Sequence, residues 1–153
     1  MIVRPEIIFC GHLNMAPLST LITRATGAKL VIQLHGIEIW QPPSFFQRQA
    51  LEEAALVLCV SRHTRAKVLE YVDLPQHRVL VHANTYTDDF VPGDREAARL
   101  RFKVPTGAFC LLSVGRLDSH ERYKGQDRVI AAMTSLRERH SDVLYLICGM
   151  GDD

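Results

Sequence analysis

The sequence lacks any hydrophobic run that approaches the roughly 20 residues of a membrane-spanning helix. Its first residues also lack the charged and apolar regions of a signal peptide. The formal net charge is only +1 at pH 7, which gives no reason to expect nucleic acid or an acidic membrane surface as the main partner. These absences predict a cytoplasmic protein without a nucleic-acid partner, and they leave peripheral association with a membrane open.

The cysteines lack the spacing of the common metal and disulfide frameworks. The chain has four cysteines, at Cys10, Cys59, Cys110 and Cys148. Each lies in an apolar run, none forms a CxxC pair, and none has a histidine at zinc-ligand spacing. We therefore expect buried free thiols in a reducing compartment and no metal site.

Several signatures of nucleotide-binding and hydrolytic enzymes are also missing. No Gly-Lys-Ser/Thr sequence occurs, so a P-loop is excluded. No Gly-x-Ser-x-Gly elbow occurs, so a Ser-His-Asp hydrolase is not supported. In a nicotinamide-dependent dehydrogenase, a glycine fingerprint should follow the first strand. The sequence at that place, CGHL at 10–13, does not match this fingerprint. The GMG at 149–151 is too short a match to carry that function alone.

Short apolar runs alternate with helical patterns along the whole chain. Apolar residues make up 47% and charged residues 23%, as in a globular protein. Strands are expected at residues 6–10, 29–34, 56–60, 78–82, from 109 onward, and 143–148. Because these runs are continuously apolar, they predict parallel α/β sheets that are covered on both faces by helices.

Helix boundaries are predicted from capping residues. Ser44 with Gln47 has the pattern of a capping box. Other N-terminal caps are expected at Asn14, Ser61 and Asp94. The helix after Asn14 should end at Gly27 and bury Leu18, Leu21, Ile22 and Ala25. A last helix, residues 126–139, should bury Val129, Ile130, Met133 and Leu136.

A stretch of turn-forming residues near 83–93 breaks this alternation and predicts a domain boundary. The part after it has only two expected strands, which is marginal for an independent sheet. We therefore expect a piece of a longer protein.

A cationic loop between an apolar strand and a helix is the best candidate for a ligand site. It contains Gly115, Arg116, Lys124 and Gly125. Glycine lets the backbone approach a ligand closely, and arginine and lysine are good donors to phosphate oxygens. Ligands of parallel sheets bind beyond the carboxyl ends of the strands, where this loop should lie. Asp118 and Glu121 are expected to be loop carboxylates beside Arg122 and Lys124. A merely solvated loop is the alternative.

A second set of polar residues follows expected strands of the first half. His35 and Gly36 come directly after one strand, and His12 follows another. Both histidines should face the carboxyl-end crevice, although a histidine bonded to loop backbone is the alternative. Glu38 either orients His35 or faces solvent.

The sequence around the cationic loop resembles a known family. VGRL at 114–117 and ERYKG at 121–125 resemble the donor-binding segment of retaining nucleotide-sugar glycosyltransferases of the family-4 kind, also called glycosyl transferases group 1, which have the GT-B architecture. Further similar segments occur in the family's order: HGIE at 35–38, VS at 60–61, VHAN at 81–84, FVP at 90–92 and ICGMG at 147–151. The chain departs at TYTD, 85–88, where the family has Gly-Val-Asp. It also lacks the family's N-terminal glycine-rich loop and its E-x7-E pair.

The resemblance implies an α/β fold with two Rossmann-like parallel-sheet domains, both incomplete here. Residues 1–84 would be the C-terminal part of the acceptor-side domain, 85–93 the crossing, and 94–153 the N-terminal part of the donor-binding domain. The implied activity is transfer of a sugar, with retained configuration, from a nucleoside-diphosphate sugar to the hydroxyl of a glycan or lipid-linked acceptor. Because half of the donor site would lie elsewhere, this chain alone should be inactive.

The resemblance also implies roles for individual residues, without a metal or a cofactor besides the donor. The catalytic residues would be Arg116, Lys124 and His35. The donor would be bound by Gly115, Arg116, Lys124, Gly125, Gly149 and Gly151. The sugar or acceptor side would have His12, Gly36 and Glu38. Two alternatives remain at this point: a non-catalytic sugar-nucleotide-binding module, and a nucleotide-dependent dehydrogenase or epimerase.

Overall fold

The computed structural model describes residues 4–152. Residues 1–3 and Asp153 lie outside the described residues. The first three belong to the stretch in which a signal peptide was not expected, and Asp153 is the end of the second expected domain. The chain divides into two compact units, Met1–Thr87 and Asp88–Asp153. The expected limits at residues 84 and 94, and the assignment of the units to acceptor and donor sides, stay predictions. Within residues 4–152, no helix is both long enough and apolar enough to cross a membrane.

The first unit is a four-stranded parallel sheet with three helices. Its strands follow each other across the sheet in the order β1-β2-β3-β4. The elements are β1 Ile7–Cys10, α1 Ala16–Thr26, β2 Lys29–Leu34, α2 Phe45–Glu53, β3 Leu56–Cys59, α3 Arg62–Tyr71 and β4 Val79–Val81. The parallel α/β arrangement predicted from the apolar runs is confirmed.

The three helices lie on one face of this sheet. Leu30, Ile32 and Leu34 on β2 are fully or almost fully buried, and they form one core with side chains such as Leu51 of α2 and Val68 of α3. The opposite face is also apolar but open, and it carries Ile7, Phe9, Val31, Leu56, Leu58 and Leu80. The expected coverage of both faces is therefore wrong for the described residues. Parallel crossovers have one hand, so strands joined in chain order place every connecting helix on the same face.

The start and the orientation of α1 differ from the expectation. Asn14 does not cap the helix, because it lies in a preceding 3-10 turn, Leu13–Met15. Pro17 occupies the first turn of α1, where a missing N–H costs little. The expected face of Leu18, Leu21 and Ile22 is exposed, whereas Ala16 and Thr20 are buried. Small side chains on the inner face let the helix approach the sheet closely. The end at Gly27 is confirmed, with φ of +77°.

The other predicted caps are confirmed. The Ser44 hydroxyl accepts a hydrogen bond from the Gln47 N–H at 3.4 Å, and the Gln47 side chain accepts one from the Ser44 N–H at 2.9 Å. The Ser61 hydroxyl accepts from the Thr64 N–H at 3.1 Å. Asp94 accepts from the first turn of the helix that follows it.

The second unit contains a two-stranded parallel sheet and two helices. The elements are α4 Arg95–Arg101, β5 Phe109–Val114, α5 Gln126–Arg139 and β6 Val143–Cys148. The Tyr145 hydroxyl donates to the Ser113 hydroxyl at 2.8 Å and joins the two strands. Three residues of the expected α5 face, Val129, Met133 and Leu136, are partly buried. Ile130 is exposed, which corrects the prediction for that residue.

The four cysteines are free thiols, as expected, but they are not all buried. Cys10 and Cys59 are buried in the first unit, Cys110 is half-buried and Cys148 is exposed. Cys148 pairs with Val114 at the open end of a two-stranded sheet, and Val114 is itself exposed. The expectation of burial is therefore wrong for Cys148, because the described part of the second unit does not cover it.

Candidate functional site

An open depression lies at the carboxyl ends of β5 and β6. Its volume is about 550 Å³. The lining residues are Val114, Gly115, Arg116, Cys148, Gly149 and Met150. The structure thus brings three predicted donor-site residues, Gly115, Arg116 and Gly149, to one surface. This is the edge at which parallel sheets bind their ligands.

Two glycines allow the loop after β6 to lie directly against the loop after β5. A Cβ atom on Gly149 would lie 1.9 Å from the Gly115 carbonyl oxygen, and one on Gly151 would lie 1.4 Å from the Leu117 carbonyl oxygen. Two backbone bonds of 3.0 Å join the loops, from Gly115 N–H to the Cys148 oxygen and from Leu117 N–H to the Met150 oxygen. The glycines are needed for this close approach, and their contact with a donor stays a prediction.

The two predicted catalytic cations of the loop share one carboxylate. Arg116 Nη2 lies 3.0 Å from Glu121 Oε1, and Lys124 Nζ pairs with Glu121 Oε2. The Lys124 stem passes over Gly115, since its Cδ lies 3.9 Å from where a Cβ on Gly115 would be. The structure therefore brings Arg116 and Lys124 together beside Gly115. Glu121 was expected beside Arg122 and Lys124 only as a loop carboxylate, and its pairing with Arg116 was not predicted.

The loop ends at the start of α5, beside the depression. A 3-10 turn, Arg122–Lys124, leads into Gly125, which has φ of +79° and accepts the Val129 N–H at 3.2 Å. A side chain is strained in that conformation. The Gln126 amide lies 3.7 Å from where a Cβ on Gly115 would be. The N-terminus of α5 thus faces the same backbone as the cations, and helix N-termini favour anions.

Asp118 and His120 of the same loop form a polar cluster with Asp152, which follows β6. One ligand atom from each lies within 4.8 Å of the others, which is a spacing that a metal ion accepts. Their polar atoms already have partners: Asp152 accepts from the Ser119 N–H and hydroxyl at 3.0 Å each, and Asp118 accepts from the His120 N–H at 2.9 Å. The hydrogen bonds from Ser119 lower the pKa of Asp152. The cluster ties the loop after β5 to the end of the described chain.

The predicted histidines of the first unit lie side by side at the carboxyl ends of β1 and β2. The ring centroids of His12 and His35 are 6.5 Å apart. His35 Nε2 lies 2.9 Å from the Gly11 carbonyl oxygen, so this nitrogen carries the proton. His12 Nδ1 accepts the Asn14 N–H at 3.1 Å. The bond from His35 to loop backbone, weighed as the alternative, is present.

Glu38 and Gly36 fix the main chain that carries His35. Glu38 Oε1 accepts the His35 N–H at 2.7 Å, so Glu38 contacts the backbone of His35. Glu38 Oε2 is buried and has no hydrogen-bond partner among the described residues. Gly36 has φ of +120°, and a Cβ there would lie 3.5 Å from Thr64 Oγ1. A side chain at this position would be strained in conformation, although its Cβ atom would make only ordinary van der Waals contact with Thr64.

The chain is similar in sequence to curated glycosyltransferases. It is 26% identical over 152 residues to D-inositol 3-phosphate glycosyltransferase 1 of Catenulispora acidiphila, covering 90% of this chain and 35% of that protein. It is 29% identical over 147 residues to alpha-D-kanosaminyltransferase of Streptomyces kanamyceticus, covering 86% of this chain and 37% of that protein. The chain thus spans about a third of the length of these relatives. No family model matches it.

Solved structures share the fold. The structure of Anabaena Alr3699/HepE in complex with UDP gives a TM-score of 0.76 at 18% identity, over 96% of this chain and 40% of that one. Its complex with UDP and glucose gives a TM-score of 0.70 at 18% identity, over the same shares of the two chains. The chain thus shares the parallel α/β fold of these solved structures, and its sequence similarity to the curated relatives fits a segment of a group 1 glycosyltransferase with the GT-B architecture.

Proposed function

We propose that the protein containing this segment transfers a sugar from a nucleoside-diphosphate sugar to an acceptor hydroxyl, with retention of the anomeric configuration. The observation that carries the proposal is the placement of Arg116 and Lys124 on one carboxylate beside Gly115, at the carboxyl ends of β5 and β6. The similar solved structures of Anabaena Alr3699/HepE are complexes with UDP and with UDP-glucose, which supports a nucleotide-sugar donor.

The loop after β5 would stabilise the departing diphosphate. During transfer, the bond between the sugar's anomeric carbon and the diphosphate oxygen breaks, and its electron pair stays on that oxygen. The anomeric carbon bonds to the acceptor oxygen, and the acceptor's proton passes to the departing diphosphate. Arg116, Lys124 and the N-terminus of α5 are held where negative charge would grow, and such preorganised donors lower a barrier without reorganising during the reaction.

His35 is proposed to act on the sugar side, with His12, Gly36 and Glu38 supporting it. In the neutral ring, a proton on Nε2 bonded to Gly11 leaves Nδ1 as an acceptor for a sugar hydroxyl. Glu38 holds the His35 backbone through its Oε1 atom. A glycan or lipid-linked acceptor, a cytoplasmic location and a peripheral contact with membranes belong to the same proposal. Transfer is proposed to need no metal or other cofactor.

Substitution of Lys124 in the full-length protein tests the proposed role of the loop. Lys124→Ala should lower kcat/KM by roughly a hundredfold, because one group that stabilises a transition-state charge contributes about 3 kcal/mol. The exposed Arg137 on α5 offers a control with the same loss of charge, and Arg137→Ala should leave transfer unchanged.

Three outcomes of this experiment would separate the candidate functions. Unchanged kcat and KM in Lys124→Ala would refute the assignment. Binding of UDP without transfer by the full-length wild type would favour a sugar-nucleotide-binding module. Robust transfer by the 153-residue chain alone would contradict the expectation that half of the donor site lies elsewhere.

A further inference from the structure

Glu121 is the acidic group at the centre of the cationic loop. Its two carboxylate oxygens are divided between the cations: Oε1 faces Arg116 Nη2 at 3.0 Å, and Oε2 faces Lys124 Nζ. The exposed fraction of the side chain is 20% for Glu121, 25% for Lys124 and 72% for Arg116. The carboxylate is therefore mostly shielded from water, while the arginine reaches into the open depression.

The backbone keeps Glu121 in this position. Its N–H donates to the Asp118 carbonyl oxygen at 2.8 Å, and its own carbonyl oxygen accepts the Lys124 N–H at 3.1 Å. Glu121 thus immediately precedes the 3-10 turn Arg122–Lys124, and its backbone N–H and carbonyl groups both make hydrogen bonds within the loop. The carboxylate cannot move far from Lys124 unless its side-chain torsions change.

The contacts of Glu121 reproduce those of a phosphate. A phosphate group between an arginine and a lysine accepts one N–H on each of two oxygens, and this carboxylate does the same. We propose that Glu121 is an internal counter-ion of the donor site, which occupies Arg116 and Lys124 when the site is empty and is displaced from at least one of them by a diphosphate. The proposal rests on the proposed function, because it takes the loop as the diphosphate site.

The charge balance explains what such a counter-ion does. Two cations and one carboxylate leave the loop with one net positive charge, whereas the diphosphate of a nucleotide sugar carries about two negative charges. A ligand with two charges competes with Glu121 for the cations better than a ligand with one. Glu121 therefore favours diphosphates over singly charged anions, and it weakens the hold on the nucleoside diphosphate that remains after transfer.

Removal of the carboxylate charge in the full-length protein tests the proposal, with UDP as the probe. Glu121→Gln should tighten UDP binding roughly fivefold at low salt, measured by isothermal titration calorimetry, because a close repulsive charge is removed. The gain should shrink at high salt, where such interactions are screened. Uridine, which has no phosphate, should bind wild type and variant equally. Glu138→Gln removes the same charge from the far end of α5 and should leave UDP binding unchanged.

The outcomes separate this inference from the proposed function. Absence of UDP binding by the wild type would refute the diphosphate site and the inference with it. Binding by the wild type with equal or weaker binding by Glu121→Gln would refute the inference alone. A crystal structure of the wild-type complex with UDP gives a second test if the variant does not fold. Both Glu121 pairs intact in that complex would overturn the proposed displacement.

Discussion

Gly149→Ala tests whether the close approach of two loops holds the candidate donor site together. A Cβ atom at this position would lie 1.9 Å from the Gly115 carbonyl oxygen, whereas real Cβ contacts are essentially never under 3.0 Å. The loops must therefore separate by at least 1.1 Å. The atom in the way belongs to the backbone, so no side chain can rotate aside.

The expected cost has two parts. Insertion of a methyl group into a packed site costs about 1–3 kcal/mol. The separation also lengthens the 3.0 Å bond from Gly115 N–H to the Cys148 oxygen beyond hydrogen-bond range, which costs about 1 kcal/mol more. We expect the second unit to lose about 2–4 kcal/mol of its free energy of unfolding. Gly93→Ala is the matched control in the same unit, because nothing lies within 4 Å of the added atom and φ is not positive.

Amide hydrogen exchange measures this loss separately in each unit. In Gly149→Ala, exchange should accelerate for the amides of β5, β6 and Gly115. In Gly93→Ala, the opening free energies derived from exchange should match those of the wild type within about 1 kcal/mol. Urea unfolding followed by fluorescence of Trp40, the single tryptophan, reports on the first unit and should not change in either variant. Equal protection of β5 and β6 in the two variants would refute the steric argument.

Two further predictions concern metal dependence and pH. In the cluster of Asp118, His120 and Asp152, both carboxylates already accept hydrogen bonds from the loop after β5, so treatment with EDTA should leave UDP binding unchanged. A tenfold loss that Mg²⁺ or Mn²⁺ restores would contradict this. Burial raises the pKa of Cys59 from 9.0 to about 11, against the opposing effect of Arg65 and with a smaller contribution from Glu38. The unfolded thiol ionises first, so the free energy of unfolding should fall between pH 9 and 11, by about 1–3 kcal/mol. Cys59→Ala should remove this fall, and parallel pH profiles of the two chains would show that another group causes it.

Local signals in the sequence predicted much of the fold. The pair Ser44 and Gln47 marked the start of α2 because a capping box uses side chains only three residues apart. The apolar runs predicted six parallel strands, all of which are present. The cationic loop was also placed at the carboxyl end of β5, and its residues Gly115, Arg116 and Lys124 do lie together.

Features that depend on distant contacts could not be predicted in the same way. The apolar residues Leu18, Leu21 and Ile22 suggested the inner face of α1, but spacing cannot tell which of two faces meets the sheet. The need for glycine at 149 comes from a loop that lies 34 residues earlier in the chain, at Gly115. Glu121 was expected beside Arg122 and Lys124, but its pairing with Arg116, five residues earlier, depends on the path of the loop and could not be predicted.

The strand order of the first unit also bears on how the chain folds. Each strand pairs with the next one along the chain, so Ile7 of β1 meets Lys29 of β2, and Val31 of β2 meets Leu56 of β3. Every pairing closes a loop of similar length, so the entropy cost of each step is nearly the same. Chains with such short-range pairings fold faster than those with distant ones. During synthesis, each βα element can join the sheet as it leaves the ribosome, because each of β2, β3 and β4 pairs with the strand that precedes it in the chain.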